Sequence, residues 1–208
     1  VKRLTLEIEA IKSGNRQGDL ASLENELKEL QQQNTAVVDT VERVLETQIR
    51  ESLSQQGIFN PILRLKVGFP PFNFKFGKMP HLLVVSPRER IESIKEVVLL
   101  PDITVDDMES VEDKVDKLGV SSLVVGISGL GATYPTLVTD EASLQSTLDI
   151  AVEEWLHQYL VFKPLGFMYL LDVTGISRNY DIATMNETVA GMVSEEIGSL
   201  VYEKYYFD

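Results

Sequence analysis

The sequence predicts an α+β protein: a mixed domain at residues 58–208, preceded by a helical arm at residues 1–57. The arm is rich in Glu, Gln and Leu and contains no proline and no aromatic residue before Phe59. Beyond it, short runs of β-branched and aromatic residues, bounded by Pro and Gly, alternate with long helical stretches. A chain of 208 residues with 44% hydrophobic residues is long enough for one core and an appendage.

Composition narrows the classes of partner. The formal net charge of −13 argues against nucleic acid and anionic lipid surfaces, since both require a basic footprint, whereas a cationic partner or a metal ion fits it. The absence of cysteine excludes disulfides and thiolate zinc sites. No apolar run reaches the roughly 20 residues of a membrane span, and no signal peptide is seen. Because the chain begins at Val1, we expect a fragment, cytoplasmic or tethered by a membrane anchor outside it.

The arm carries a heptad pattern from Leu20 to Val44. The a positions are Leu20, Leu27, Asn34 and Val41, and the d positions are Leu23, Leu30, Val37 and Val44. One Asn at an a position fixes the register of parallel dimers. The pattern therefore predicts a coiled-coil homodimer through residues 20–44, with Asp19 as the N-cap of the helix. The alternative is a long amphipathic helix that lies on its own domain.

The sequence of residues 60–139 indicates several short strands and one helix. Alternating Phe72, Phe74 and Phe76 are typical of a half-buried strand. Further strands are predicted at 82–86 and 121–128, a strand or a helix end at 96–100, and a Gly-rich turn into an extended piece at 129–136. A helix is predicted at 104–119, with Thr104 and Asp107 as a capping box and Gly119 as its end.

Two long helices are predicted at 140–162 and 181–206, and Pro164 and Gly166 are expected to end the first. The second has one face of small residues around a single long polar side chain: Glu187, Ala190, Gly191, Ser194 and Gly198. The opposite stripe is expected to be core: Met185, Val189, Met192, Val193 and Val201.

The stretch AVEEWLHQYLVF at 151–162 is apolar on every face, yet it contains Glu153, Glu154 and His157. A helix that is apolar all round is buried, and buried carboxylates need a compensating charge. Glu153 and His157 are four residues apart, so their side chains lie on the same side of the helix. A metal ion is one compensator that suits this geometry.

The motif E-E-x-x-H resembles the zincin active-site helix, whose signature is H-E-x-x-H. The stretch MNETVA at 185–190 resembles the N-E-x-x-A element of gluzincins, in which a downstream helix supplies a Glu as third ligand. The run from about 82 to 204 is similar to a group of uncharacterised bacterial proteins with a zincin-like domain, often membrane-associated. The resemblance implies a zincin-like metallopeptidase fold for residues 58–208.

The resemblance also implies roles for individual residues. Glu153, His157 and Glu187 would hold a divalent metal ion, and Glu154 would be the general base that acts on a peptide or protein substrate. The edge piece at 129–134 would line the substrate cleft. Tyr134 and Tyr180 are candidates for stabilising an oxyanion.

One position departs from the signature, because Glu153 stands where zincins have their first histidine. Two Glu and one His make a more anionic and harder ligand set, so zinc is the first expectation and Mn or Ca are alternatives. A second interpretation is a catalytically inactive zincin-like module for binding or scaffolding, dimerised by its coiled coil, a function that needs no metal. A third is a structural charge network with Arg178 or Lys163 as counter-ion.

Overall fold

The computed structural model describes residues 2–62, 65–90 and 92–207, which form an α+β protein. The helices of these residues are α1 (Lys2–Lys12), α2 (Leu20–Gln55), α3 (Val105–Asp116), α4 (Leu144–Leu160), α5 (Pro164–Val173) and α6 (Tyr180–Tyr206). The strands are β1 (Asn60–Ile62), β2 (Leu65–Val67), β3 (Phe74–Gly77), β4 (His81–Ser86), β5 (Lys95–Leu99), β6 (Ser121–Gly126), β7 (Gly129–Leu130) and β8 (Thr136–Thr139). The chain divides into two compact units, residues 1–48 and 49–208, and α2 contributes to both.

The first unit consists of α1 and most of α2. The α2 N-terminus is capped as predicted, because the Asp19 carboxylate accepts a hydrogen bond from the backbone N–H of Ser22 at 3.2 Å. An ion pair of 2.8 Å joins Lys12 of α1 to Glu24 of α2. The last three valines of the heptad pattern stay exposed: Val37 (51%), Val41 (41%) and Val44 (46%).

The strands of the second unit form a hairpin and two three-stranded sheets. β1 and β2 make the antiparallel hairpin. One sheet has the order β3-β8-β7, with β3 parallel and β7 antiparallel to β8. The other has the order β5-β4-β6 and is antiparallel throughout. The stretch at 96–100, open between strand and helix end from its sequence, thus contributes to a strand.

The predicted caps of α3 are confirmed. The Thr104 hydroxyl accepts a hydrogen bond from the backbone N–H of Asp107, and Gly119 ends the segment with a φ of +87°. The Glu112 carboxylate of α3 accepts a hydrogen bond from the backbone N–H of Val124 in β6 at 2.6 Å. α3 is therefore fixed to the edge of its sheet.

Helices α4 and α6 pack closely against each other, and α5 contacts both. The buried residues of α4 are Thr147, Leu148, Ala151, Val152, Trp155 and Leu156, and those of α6 are Ile182, Asn186, Ala190, Ser194, Ile197, Gly198 and Val201. The approach is closest where the Asp149 carboxylate lies against Gly198: a Cβ added there would meet Asp149 Oδ1 at 1.9 Å. This small face of α6 is what allows a helix with long side chains to lie beside it.

The predicted end of the first helix before Pro164 is confirmed, since α4 ends at Leu160. Pro164 is also the first residue of α5, a helix that the sequence did not predict, and there its missing N–H costs nothing. One prediction about α6 is wrong. The apolar stripe of α6 is not uniformly core: Met185 (48%), Val189 (38%) and Met192 (69%) are exposed, whereas Val201 is buried. The small face of α6 packs against α4, whereas these three residues lie on the opposite, exposed face of the helix.

No helix in the described part of the chain combines the length and the apolar character needed to cross a membrane.

Candidate metal centre

Three predicted ligands meet between α4 and α6. The ligand atoms of Glu153, His157 and Glu187 all lie within 4.8 Å of one another. His157 Nε2 is 3.6 Å from Glu187 Oε2. For bonds of about 2.0–2.2 Å to a tetrahedral zinc ion, ligand atoms are separated by roughly 3.4 Å, so the His157–Glu187 pair already has the required spacing. The three side chains fit a divalent ion after a small inward movement of the widest pair.

Two carboxyl groups at this place, those of Glu153 and Asp149, have raised pKa values. Burial raises the pKa of Glu153, and the Glu187 carboxylate raises it further, while His157 opposes both. Asp149, one turn before Glu153 on α4, also has a raised pKa, first through burial and then through Glu195. Raised carboxyl pKa values mean that the ionised forms are disfavoured here. A bound cation would relieve this cost.

Glu154 points to the sheet side of α4. Its Oε2 accepts a hydrogen bond of 2.6 Å from the backbone N–H of Gly131. A Cβ added to Gly131 would lie 2.6 Å from the Glu154 backbone oxygen, and one added to Gly129 would lie 2.4 Å from its Oε1. A side chain at residue 131 would thus collide with the α4 backbone, whereas one at residue 129 would displace the Glu154 side chain. Burial raises the pKa of Glu154 to about 7, against the lowering effect of the Gly131 hydrogen bond.

The Gln158 side chain connects α4 to residues 131–136. Its side-chain amide donates to the backbone oxygens of Gly131 and Thr133 at 2.9 Å each, and to the Thr136 hydroxyl at 3.0 Å. Residues 131–133 therefore lie alongside Glu154 and Gln158 of α4.

Asn186 contacts the far nitrogen of the histidine. Its Nδ2 lies 2.9 Å from His157 Nδ1, and its buried Oδ1 has no hydrogen-bond partner among the residues that the structure describes. Metal-binding histidines usually donate their second N–H to an oxygen, which leaves the other nitrogen free for the ion. A half-turn of the amide would instead place Oδ1 against Nδ1, where it would be the acceptor that a metal-bound histidine needs.

Tyr169 of α5 is a contact that the sequence did not reveal. Its hydroxyl donates a hydrogen bond to Glu187 Oε1 at 2.5 Å. Its ring stacks on the His157 imidazole, with centroids 5.7 Å apart and 26° between the planes. Burial, followed by the Glu187 hydrogen bond, raises the pKa of the Tyr169 phenol. The side chain therefore touches two of the three candidate ligands as a protonated donor.

The two candidate oxyanion residues are exposed to solvent. Tyr134 is 56% exposed and Tyr180, at the start of α6, is 84% exposed. Within residues 2–62, 65–90 and 92–207, neither phenol hydrogen-bonds to the three ligands. Lys163 lies over the Tyr159 ring at 5.0 Å. In the same ranges, neither Lys163 nor Arg178 forms an ion pair with the acids of the cluster, so the counter-ion of the charge-network interpretation is not seen.

No protein-family model, no curated protein and no solved structure matches the chain.

Proposed function

We propose that residues 58–208 form a metal-dependent, gluzincin-like peptidase domain in which Glu153, His157 and Glu187 hold a divalent ion. The observation that carries the proposal is the meeting of three ligand atoms within 4.8 Å, contributed by two helices. His157 Nε2 and Glu187 Oε2, 3.6 Å apart, are the pair closest to ligand spacing. An acidic cluster alone would be weak support, but here a histidine lies among the acids and its second nitrogen faces Asn186.

Bound in this place, a divalent ion supplies Lewis acidity to a substrate carbonyl and lowers the pKa of a water. Glu154 is the proton carrier of the proposal. A carboxylate with a pKa of about 7 is half ionised near neutrality, which suits a group that takes a proton from water and delivers it to a leaving amine. The Gly131 N–H holds its Oε2, so the carboxylate is oriented before substrate arrives.

The ligand set itself favours zinc less strongly than the usual two-histidine set does. Glu153 contributes an oxygen where an imidazole would be softer, and the local charge is more negative. We therefore propose zinc as the first candidate and Mn or Ca as competitors. The substrate class is a peptide or protein.

The experiment is calorimetric titration of metal-stripped protein with Zn, Mn and Ca, followed by a peptidase assay with and without chelator. Glu187→Gln should abolish most of the binding. Glu196→Gln is the matched control, because it removes the same charge from an exposed position on the same helix. Binding that is equal in the two variants contradicts the ligand assignment.

A second candidate function is an inactive zincin-like module for binding or scaffolding, displayed on a dimer of α2 helices. Two observations favour it: Glu153 replaces a histidine, and the heptad valines at 37, 41 and 44 are exposed. Metal binding without chelator-sensitive peptide hydrolysis, in a dimeric protein, would select this function over the first.

A further inference from the structure

We propose that Tyr169 is a positioning residue that holds Glu187 in the orientation of a metal ligand; the inference rests on the proposed metal site. The Glu187 carboxylate has two oxygens with different neighbours. Oε1 accepts the Tyr169 hydroxyl at 2.5 Å, and Oε2 faces His157 Nε2 at 3.6 Å. Engaging one oxygen aims the other at the ion, so Glu187 binds through Oε2 alone.

Glu187 needs such a restraint because about half of its side chain is exposed (51%). A long, solvent-accessible side chain samples many rotamers, and metal binding would have to select one of them at a cost in entropy. The hydrogen bond from Tyr169 makes that selection before the ion arrives. Preorganised ligands of this kind bind more tightly than free ones.

The same side chain restrains the histidine. The Tyr169 ring stacks on the imidazole of His157, while Asn186 holds Nδ1 from the other helix. The ring of His157 therefore has contacts on one face and at one nitrogen, and Nε2 keeps its direction towards Glu187.

Tyr169 can act in this way because α5 is itself fixed at both ends. At its start, a Cβ added to Gly166 would lie 2.1 Å from the backbone carbonyl of Leu160, so α5 begins in direct contact with the end of α4. Near its end, the buried Asp172 carboxylate accepts a hydrogen bond of 2.6 Å from the backbone N–H of Asn179, the N-cap of α6. The helix that carries Tyr169 is thereby attached to both helices that carry ligands.

The test is zinc titration calorimetry of the full chain, comparing the parent with Tyr169→Phe. Removing the hydroxyl keeps the ring and its stacking, so the melting temperature of the metal-free protein should equal that of the parent. Zinc affinity should fall by about tenfold or more, as for other outer-shell partners of metal ligands. Tyr202→Phe is the matched control, since it removes a phenol hydroxyl from α6, where the ring packs on Tyr206 at 6.1 Å, and it should leave affinity unchanged.

A double-variant cycle separates positioning from general packing. If Tyr169 acts through Glu187, then Tyr169→Phe should lower zinc affinity in the parent and have no further effect in Glu187→Gln. An equal loss in both backgrounds, or a lower metal-free melting temperature that accounts for the loss, assigns Tyr169 a merely structural role and overturns the inference. If the parent binds zinc and Tyr169→Phe binds it equally tightly, only the role of Tyr169 is overturned. If the parent binds no metal, the metal site and the inference are overturned together.

Discussion

The Nδ2 atom of Asn186 lies 2.9 Å from Nδ1 of His157, and the buried Oδ1 atom of the same amide has no partner in the described part of the chain. In this arrangement the amide donates to Nδ1, so a neutral imidazole carries its proton on Nε2, the nitrogen that faces Glu187. A half-turn of the amide reverses both roles. Nδ1 then donates to Oδ1, and the lone pair of Nε2 becomes available to an ion. Binding of the proposed metal ion would therefore be coupled to the orientation of one buried amide.

This coupling predicts unequal effects of two substitutions. Asn186→Leu removes the acceptor for Nδ1–H and should lower zinc affinity by about tenfold or more. Asn186→Asp keeps an acceptor oxygen and should retain more affinity than Asn186→Leu. Calorimetry measures the affinities, and nitrogen chemical shifts report the tautomer, with only two histidines to assign. If the Leu variant binds zinc as well as the Asp variant does, Asn186 does not orient His157.

The substitution Glu153→His tests whether residue 153 lies at a ligand position. In Glu153→His, a neutral imidazole replaces one of the clustered carboxylates, and zinc affinity should rise by about tenfold, or ~1.4 kcal/mol. Thermal stability should become more dependent on zinc, because the ion binds only the folded state. Adding Glu187→Gln should remove most of the gain. Equal zinc affinity in Glu153→His and the parent would show that residue 153 is not at a ligand position.

The raised pKa of Glu154 predicts a pH dependence of stability in the metal-free protein. Its folded-state pKa of about 7 lies above the ordinary glutamate pKa of 4.5. The folded state therefore binds the proton more tightly, and stability from this group is lost as pH rises from about 4.5 through about 7. The loss is on the order of 3 kcal/mol at most.

Glu154→Gln isolates this contribution, since its amide oxygen can still accept from Gly131 and it does not ionise. Urea denaturation of both proteins at several pH values between 5 and 8, in metal-free buffer, measures the difference. The variant should become progressively more stable than the parent as pH rises, and then level off above pH 7 to 8. Parallel curves would mean that Glu154 is not held in a poorly solvated place.

Local signals in the sequence predicted the fold where one residue decides the outcome. Thr104 and Gly119 specify the ends of the α3 segment through a side-chain cap and a positive φ. The structural role of Pro164 could not be deduced from the sequence. Proline is compatible both with the end of one helix and with the first residue of the next, and sequence alone does not separate the two. Because α5 was missed for this reason, Tyr169 was missed with it.

The site was predictable to the extent that it follows helix periodicity. Glu153 and His157 are one turn apart, and Glu187 lies among small residues, so their faces could be deduced. The exposure of the opposite stripe of α6 could not be deduced, because an apolar stripe such as Met185, Val189 and Met192 is usually core. Here the close approach of α4 to Gly198 decides it instead. Asn186 was visible in the motif, but its contact with His157 depends on the rotation of one helix against another.

The exposed valines of α2 predict self-association. Val37, Val41 and Val44 alternate by four and three residues along one line of a 36-residue helix, and 41–51% of each is exposed. A second copy is the partner that this spacing suits, because a and d residues interdigitate with their own equivalents and Asn34 can face its symmetry mate in a parallel pair.

The intact chain should be a dimer at roughly tens of micromolar in light scattering. Val37→Glu with Val44→Glu places like charges at d positions across the seam and should give a monomer. Gln32→Glu with Ala36→Glu adds the same charge at exposed positions outside the seam and should remain dimeric. A monomeric parent, or dissociation by both pairs of substitutions alike, contradicts an interface at residues 20–44.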